Sequence, residues 1–427
     1  RINIVWQSCT DRMRTQLKKT RGRLLLILSI VVGIMICLNL PSSGISYPTQ
    51  SLSHGMTRTF VTFSMMHTFN YTDADLDENS KGWTRRDAEL SEFDHELRSR
   101  WNKAMDEGHF RYKLDKLKTR IIGTKGYVAQ LNVKRAQERR KPAEITHVNQ
   151  PFNPAGFNFT KIQPDEILFK MVKSGAKRSH NQANGYCKEG DSSKSKVQDL
   201  MIINASPLEY GHVLIVPDVD AMKPQILTQH GLRLAIDVIL LSRHRGFRVG
   251  FNSLCAFASV NHQHIHAYYV ETELMVEHCP VTHISGILHE INITPAKGFA
   301  FQLHGSTIDQ TVSVIINIIQ YFQQNEIAHN LFLTRGTVFG QPRDSTLRTI
   351  RFLLFPRKKF IGTKEEAAFN VAVAELSGHL PIKIEEMFED LDEEKIEQTI
   401  RDQAVLEETE YNKIKQDVLK ICQTYCS

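Results

Sequence analysis

The stretch Ser259-Val-Asn-His262-Gln-His264-Ile-His266-Ala-Tyr268-Tyr269 decides how the rest of the chain is read. Side chains on a β-strand alternate between faces, so His262, His264, His266 and Tyr268 project one way and Gln263, Ile265, Ala267 and Tyr269 the other. Three imidazoles then line one edge of a sheet. Packing alone is a poor reason to bury them, because each needs a hydrogen-bond partner and each can charge near neutrality. Two chemistries fit such a row. A metal centre uses His-x-His on a strand as two ligands but needs a third donor, and no Cys, Glu or Asp stands at a matching spacing. Nucleophilic catalysis at phosphorus instead uses the middle imidazole to attack, while its neighbours orient it and donate to phosphate oxygens. Neutral imidazole forms a phosphoramidate that breaks readily, which splits one displacement on a phosphodiester into two in-line steps.

Outward from this strand, Leu200-Met-Ile-Ile203 and Val213-Leu-Ile-Val216 are short apolar runs. The turn-rich Asn204-Ala-Ser-Pro-Leu-Glu-Tyr-Gly-His212 between them predicts neighbouring antiparallel strands. Leu234, Val238 and Leu241 share a helical face, so Gly231 to Arg243 is expected to form a helix covering that sheet. Arg248 to Asn252 and His262 to Val270 supply two further strands. The later chain repeats this order with a helix from Ile308 to Asn325 and strands at Asn330 to Thr334 and Arg348 to Phe355. That order indicates a duplicated helix-strand-strand unit with one active site, because the second copy carries no histidine cluster. A helix from Lys364 to Gly378 and an acidic solvated helix face from Glu385 to Lys395 are expected to close the chain. Upstream, Leu90, Phe93, Leu97 and Trp101 recur at spacings of three and four within Asp87 to Asp106, an amphipathic helix. Arg139-Arg140-Lys141 reads as a solvated turn, and Ser174 to Lys196 as an exposed loop rich in Gly, Ser, Asn and Lys.

The 427 residues hold 53 Lys plus Arg against 47 Asp plus Glu, a formal charge of +6. Seven basic residues and one acid fall within residues 1–40, so the remaining body carries 46 of each sign and is neutral. A neutral body with 41% apolar residues argues against a nucleic-acid-binding domain and against wholesale disorder. Leu24 to Leu40 is an uncharged run of 17 residues behind a basic flank, which suits either a short membrane anchor or a signal peptide. As an anchor it would keep the N-terminus cytosolic and put the body in the lumen, a placement permitted by four Asn-x-Ser/Thr sequons at Asn70, Asn158, Asn204 and Asn292. Seven scattered cysteines without a C-x-x-C pair read as free thiols of a reduced compartment.

At these residues the chain resembles the histidine-triad superfamily, its transferase branch in particular. Asn204 to Pro217 (NASPLEYGHVLIVP) is similar to that superfamily's Pro-x-x-x-Gly-His-hydrophobic-Pro entry motif, and Ser259-Val-x-His-x-His-x-His266 to its signature. The run from Gly250 to Tyr269 is closer still to the GDP-hexose phosphorylases, the animal GDP-D-glucose and plant GDP-L-galactose enzymes. Outlying matches stand at Arg140-Lys-Pro142, Gln150-Pro-Phe-Asn153, Phe157-Asn-Phe-Thr-Lys161 and Glu375-Leu-Ser-Gly-His379, so the similarity spans residues 125–400.

The resemblance implies an α+β fold, a histidine-triad-like antiparallel sheet with covering helices, duplicated in the manner of galactose-1-phosphate uridylyltransferase. The chain then divides into a basic leader, hydrophobic segment and linker (1–55), a helical N-terminal extension (56–124), a catalytic half (125–285) and a degenerate half with C-terminal helices (286–427). His264 would attack the α-phosphorus of a GDP-sugar, expel hexose 1-phosphate and hold GMP covalently until inorganic phosphate releases GDP. The net reaction implied is GDP-D-glucose plus phosphate to GDP plus D-glucose 1-phosphate. His262 would orient the nucleophile, and Asn252, Ser253 and Ser259 would contact phosphate or ribose. The implied partners are GDP-hexose and phosphate, with no cofactor, metal or nucleic acid. His266 departs from the transferase pattern, which commonly has Gln there. Unlike Gln, His can also donate a proton, so hydrolysis of the intermediate stays open. Two other readings remain: a nucleotide hydrolase or guanine-nucleotide-binding regulator on the same scaffold, and a membrane-anchored interaction protein with a vestigial site. The family implies a cytoplasmic enzyme, in conflict with a single-pass anchor at Leu24 to Leu40. No residue is assigned to the guanine base.

Overall fold

The computed structural model describes residues 66–76, 89–138, 140, 143–175, 197–291, 295–361 and 368–425. The run from Leu24 to Leu40 and residues 176–196, most of the stretch expected to be an exposed loop, lie outside them. Strand β1 (Thr68–Tyr71), helix α1 (Glu92–Asp106), strands β2 (Lys118–Ile122) and β3 (Tyr127–Leu131) and the short α2 (Val133–Glu138) come first. Residues 56–124, expected to be a helical extension, thus hold two strands beside α1. The first half of the main sheet follows as β4 (Ile167–Lys173), β5 (Asp199–Ile203), β6 (Val213–Val216), α3 (Gln229–Leu241), β7 (Phe247–Asn252) and β8 (Ile265–Tyr269). The second half repeats that plan as β9 (Val281–Ser285), β10 (Leu288–Ile291), β11 (Gly298–Gln302), α4 (Ile308–Gln324), β12 (Ala328–Thr337) and β13 (Arg348–Arg357). The chain continues through α5 (Val373–Leu376), β14 (His379–Ile382), α6 (Glu385–Glu389), α7 (Glu393–Ala404) and α8 (Glu408–Tyr425).

The main sheet has eleven strands in the order β1-β4-β5-β6-β8-β7-β12-β13-β11-β10-β9. Each half lays down three meandering strands, crosses over through a helix, and returns a hairpin whose second strand docks on the third of the meander. The two copies meet through their first hairpin strands. That join is antiparallel, with Asn252 opposite Asn330 and Val249 opposite Leu333. Like strands joined antiparallel relate the copies by a rotation normal to the sheet, so the duplication is a dimer-like arrangement within one chain. It is fuller than the helix-strand-strand repeat expected, because each copy also owns a three-stranded meander. Strand β1 adds in parallel to β4 and makes the sheet mixed.

Alternation sorts the two faces. Ile203, Val213, Ile265, Ala267, Phe251 and Leu333 join one core with the apolar faces of α3 and α4. Leu200, Ile202, Leu214 and Val216 point the other way. Over that second face lies the small sheet β14-β3-β2, which shares a core with Tyr268, Phe332 and Leu353. Helix α1 is capped by Ser91 and Asp94 and buries Phe93, Leu97 and Trp101. Each such side chain contributes about 1.5–3 kcal/mol. Asp94 accepts from Ser242 Oγ at 2.6 Å and Tyr269 Oη at 2.9 Å, which fastens α1 to the end of α3 and to β8.

The helix expected from Lys364 to Gly378 is not formed where it is described: only α5, four residues, is helical there. Side chains from elsewhere hold the backbone of residues 371–373. Arg357 Nη1 donates to the Val371 carbonyl, Val371 N–H donates to Gln403 Oε1, and Val373 N–H donates to Asn252 Oδ1. Among the described residues no helix is long and apolar enough to cross a membrane. The sequon at Asn158 is buried, its Oδ1 accepting from the Thr160 amide at 3.1 Å, so the folded chain does not offer it for glycosylation.

Candidate active site

Strand β8 starts at Ile265, so His262 and His264 stand in the segment leading into it rather than on the strand. Gln225 builds that segment. Its Oε1 accepts the His264 N–H at 2.8 Å, and its Nε2 donates to the carbonyls of His264 and Asn252 at 3.0 and 2.9 Å. The His264 ring is set by its Nδ1, which lies 2.7 Å from the His262 carbonyl. A carbonyl only accepts, so Nδ1 carries the proton and Nε2 keeps the lone pair. Burial pushes His264 down to about 4, against the opposing carbonyl bond. At neutral pH the ring is therefore uncharged, with a fixed tautomer and a lone pair on Nε2 that is able to attack an electrophile.

His262 acts through that carbonyl. Its own ring is fully buried, with Nδ1 accepting the Phe159 N–H at 3.1 Å and the rings of Phe152 and Phe159 packed against it. Burial pushes it down to about 4 as well. His266 is set by a residue absent from the sequence-derived site, His212. Leu208 N–H donates to His212 Nδ1 at 2.8 Å, so the His212 proton sits on Nε2, 3.0 Å from His266 Nδ1. Asn204 Nδ2, 3.2 Å from the same nitrogen, is a donor and cannot take that proton. His266 Nδ1 must accept, and its proton resides on Nε2. Burial holds His212 well below the usual histidine range, so its own ring stays neutral. His266 thus presents a fixed N–H, as a Gln side chain would.

Two clefts flank this row. The first is walled by Phe157, Phe159, Ile202 and Leu214 and reaches His264. Arg140, expected in a solvated turn, stacks on the Phe157 ring 3.2 Å from its centroid and lines this cleft with Arg111. The second is lined by Asn132, Asn252, Asn370, Glu375 and Lys383. Arg135, Ser259 and His266 line both. The structure therefore gathers His264, His266, Ser259 and Asn252, with His262 behind them. Ser253 is the exception: its Oγ donates to the Leu254 carbonyl and accepts the His329 N–H, both at 2.9 Å, so it pins β7 to β12 and does not face either cleft. Among the described residues no three His, Cys, Asp or Glu side chains converge as a metal cage requires.

Comparison with known proteins places the sequence in a family. Residues 92–268 match the model described as the GDPGP1-like N-terminal domain and residues 272–425 the GDPGP1-like C-terminal domain. The chain belongs to the GDPGP1-like family. GDP-D-glucose phosphorylase 1 of Danio rerio is 40% identical over 356 residues, 82% of this chain and 98% of that protein. The Homo sapiens GDP-D-glucose phosphorylase 1 is 41% identical over 339 residues, 76% of this chain and 84% of that protein. GDP-L-galactose phosphorylase 2 of Arabidopsis thaliana is 31% identical over 326 residues, 72% of each chain. Among solved structures, yeast Ap4A phosphorylase Apa2 in complex with AMP aligns at a TM-score of 0.48 and 14% identity, covering 74% of this chain and 96% of that one.

Proposed function

We propose that this chain is a GDP-hexose phosphorylase that acts on GDP-D-glucose through a guanylyl-histidine intermediate. The carrying observation is the 2.7 Å bond between His264 Nδ1 and the His262 carbonyl, which leaves the lone pair on Nε2. That nitrogen attacks the α-phosphorus; the N–P bond forms as the bond to the bridging oxygen of hexose 1-phosphate breaks. The Nε2–H of His266 donates to a non-bridging oxygen whose charge grows in the transition state. A phosphate oxygen then attacks the same phosphorus, the N–P pair returns to His264, and GDP leaves. The identity to relatives named GDP-D-glucose phosphorylase 1 supports this substrate pair.

The aromatic cleft suits the nucleoside, and Glu166, the carboxylate lining it, offers an acceptor for the N1–H and N2–H of guanine. Arg111, Arg135 and Arg140 supply positive charge for the anionic substrate. Buried free thiols at Cys255, Cys279 and Cys422 fit a cytoplasmic setting. Incubating the full chain with GDP-glucose, with and without phosphate, tests the reading. GDP and glucose 1-phosphate should form only with phosphate, whereas GMP released without it would mark a hydrolase instead.

A further inference from the structure

An in-line displacement puts the leaving group on the far side of phosphorus from the nucleophile. His264 lines the aromatic cleft and not the other, while Arg135, Ser259 and His266 line both. With the α-phosphate at those shared residues, the bond that breaks points into the second cleft. The amide of Asn370, the carboxylate of Glu375 and the ammonium of Lys383, which line it, are groups that bind hydroxyls and phosphate.

Resting on the phosphorylase reading, we propose that this cleft releases hexose 1-phosphate and admits inorganic phosphate, with Lys383 and Arg135 holding the phosphate and Asn370 and Glu375 reading the hexose hydroxyls. The second half of the chain builds it. Asn252 Oδ1 accepts the Val373 N–H at 3.0 Å, and Glu375 Oε2 accepts the Ala372 N–H at 2.9 Å. Gly250 leaves room for this approach, since a Cβ there would meet Val373 Cγ1 at 2.9 Å. The Glu375-Leu-Ser-Gly-His379 stretch then has two jobs. His379 Nε2 lies 2.6 Å from Gln130 Oε1 and ties β14 to β3, and Glu375 faces the hexose. The same anion site serves both half-reactions, because the departing sugar phosphate and the attacking phosphate occupy the same side of phosphorus.

Two assays on the full chain separate the parts: phosphorolysis of GDP-glucose, and isotope exchange between GDP and labelled phosphate, which needs no sugar. Lys383→Gln should raise KM for phosphate about tenfold, about 1.4 kcal/mol of lost binding, and slow the exchange. Lys383→Arg should restore most of it. Asn370→Ala should lower phosphorolysis relative to exchange by about tenfold, the loss of one hydrogen bond of about 1.4 kcal/mol, and shift the preference between GDP-glucose and GDP-mannose. Thermal melts matching wild type confirm that both variants fold. An unchanged KM for phosphate together with an unchanged ratio of the two rates would place the subsite elsewhere. A wild-type chain that neither exchanges phosphate nor consumes GDP-glucose would instead overturn the phosphorylase reading beneath it.

Discussion

The backbone carbonyl of His262 does more for the proposed nucleophile, His264, than the His262 ring does. It fixes the tautomer of His264, and burial keeps that ring uncharged with its pKa at about 4. In the proposed mechanism the neutral form attacks, so activity is expected to persist as pH falls and to be lost only through the folded pKa. The first half-reaction, followed by single-turnover release of hexose 1-phosphate, should stay flat from pH 8 to about 5, where an unperturbed histidine would titrate near 6.5. An inflection near 6.5 would show that His264 is not held as described. His266 yields a second expectation. As a fixed N–H donor it is interchangeable with Gln, so His266→Gln should keep phosphorolysis within about threefold while His266→Ala loses about 10²–10³ in kcat. Equal losses in both would contradict the relay from His212. The row of three histidines is legible in sequence because their spacing is local. His212 is not, because its link to His266 crosses from β6 to β8, where Leu214 pairs with His266. The only trace was the Gly-His pair of the entry motif.

Gly211 explains that pair at the level of the turn before β6. It has φ of 67°, and a Cβ there would meet the Tyr269 ring at 2.5 Å. Gly211→Ala should therefore cost about 2 kcal/mol or more in urea unfolding and lower activity through the displaced His212. Helices α1 and α4 were readable because an apolar stripe faces the core, and α3 because its apolar residues recur at helical spacing although it is buried along nearly its whole length. Leu97→Ala, deep under α1, should destabilise by about 2–5 kcal/mol in the same assay. Strands β9 to β11 were not readable. Thr282, His283, His289 and Glu290 interrupt the alternation on β9 and β10, which lie at the edge of the sheet. The stretch 364–378 misled for a different reason. Its composition favours helix, but Arg357, Gln403 and Asn252 take up the backbone groups of residues 371–373 from outside.

At the scale of the whole molecule, two copies of one unit share a sheet but only one carries the histidines. The repeat was legible from the order of elements; the antiparallel join of β7 to β12 was not, since nothing local specifies which strands meet. The second copy is not idle, because it supplies the segment that closes the second cleft and the strand that covers the β7 edge. Residues 56–270 produced alone should accordingly show no phosphorolysis, checked by activity after confirming the fragment's state by circular dichroism. The formal charge of +6 belongs to the first 40 residues, and the neutral remainder places Arg111, Arg135 and Arg140 along the aromatic cleft. The central claim, covalent catalysis by His264, is tested most directly by trapping the intermediate. The full chain mixed with GDP-glucose in the absence of phosphate and quenched in alkali should carry one GMP on the peptide containing His264, and added phosphate should discharge it as GDP. Turnover with no such adduct, or an adduct on a peptide lacking His264, would contradict the account.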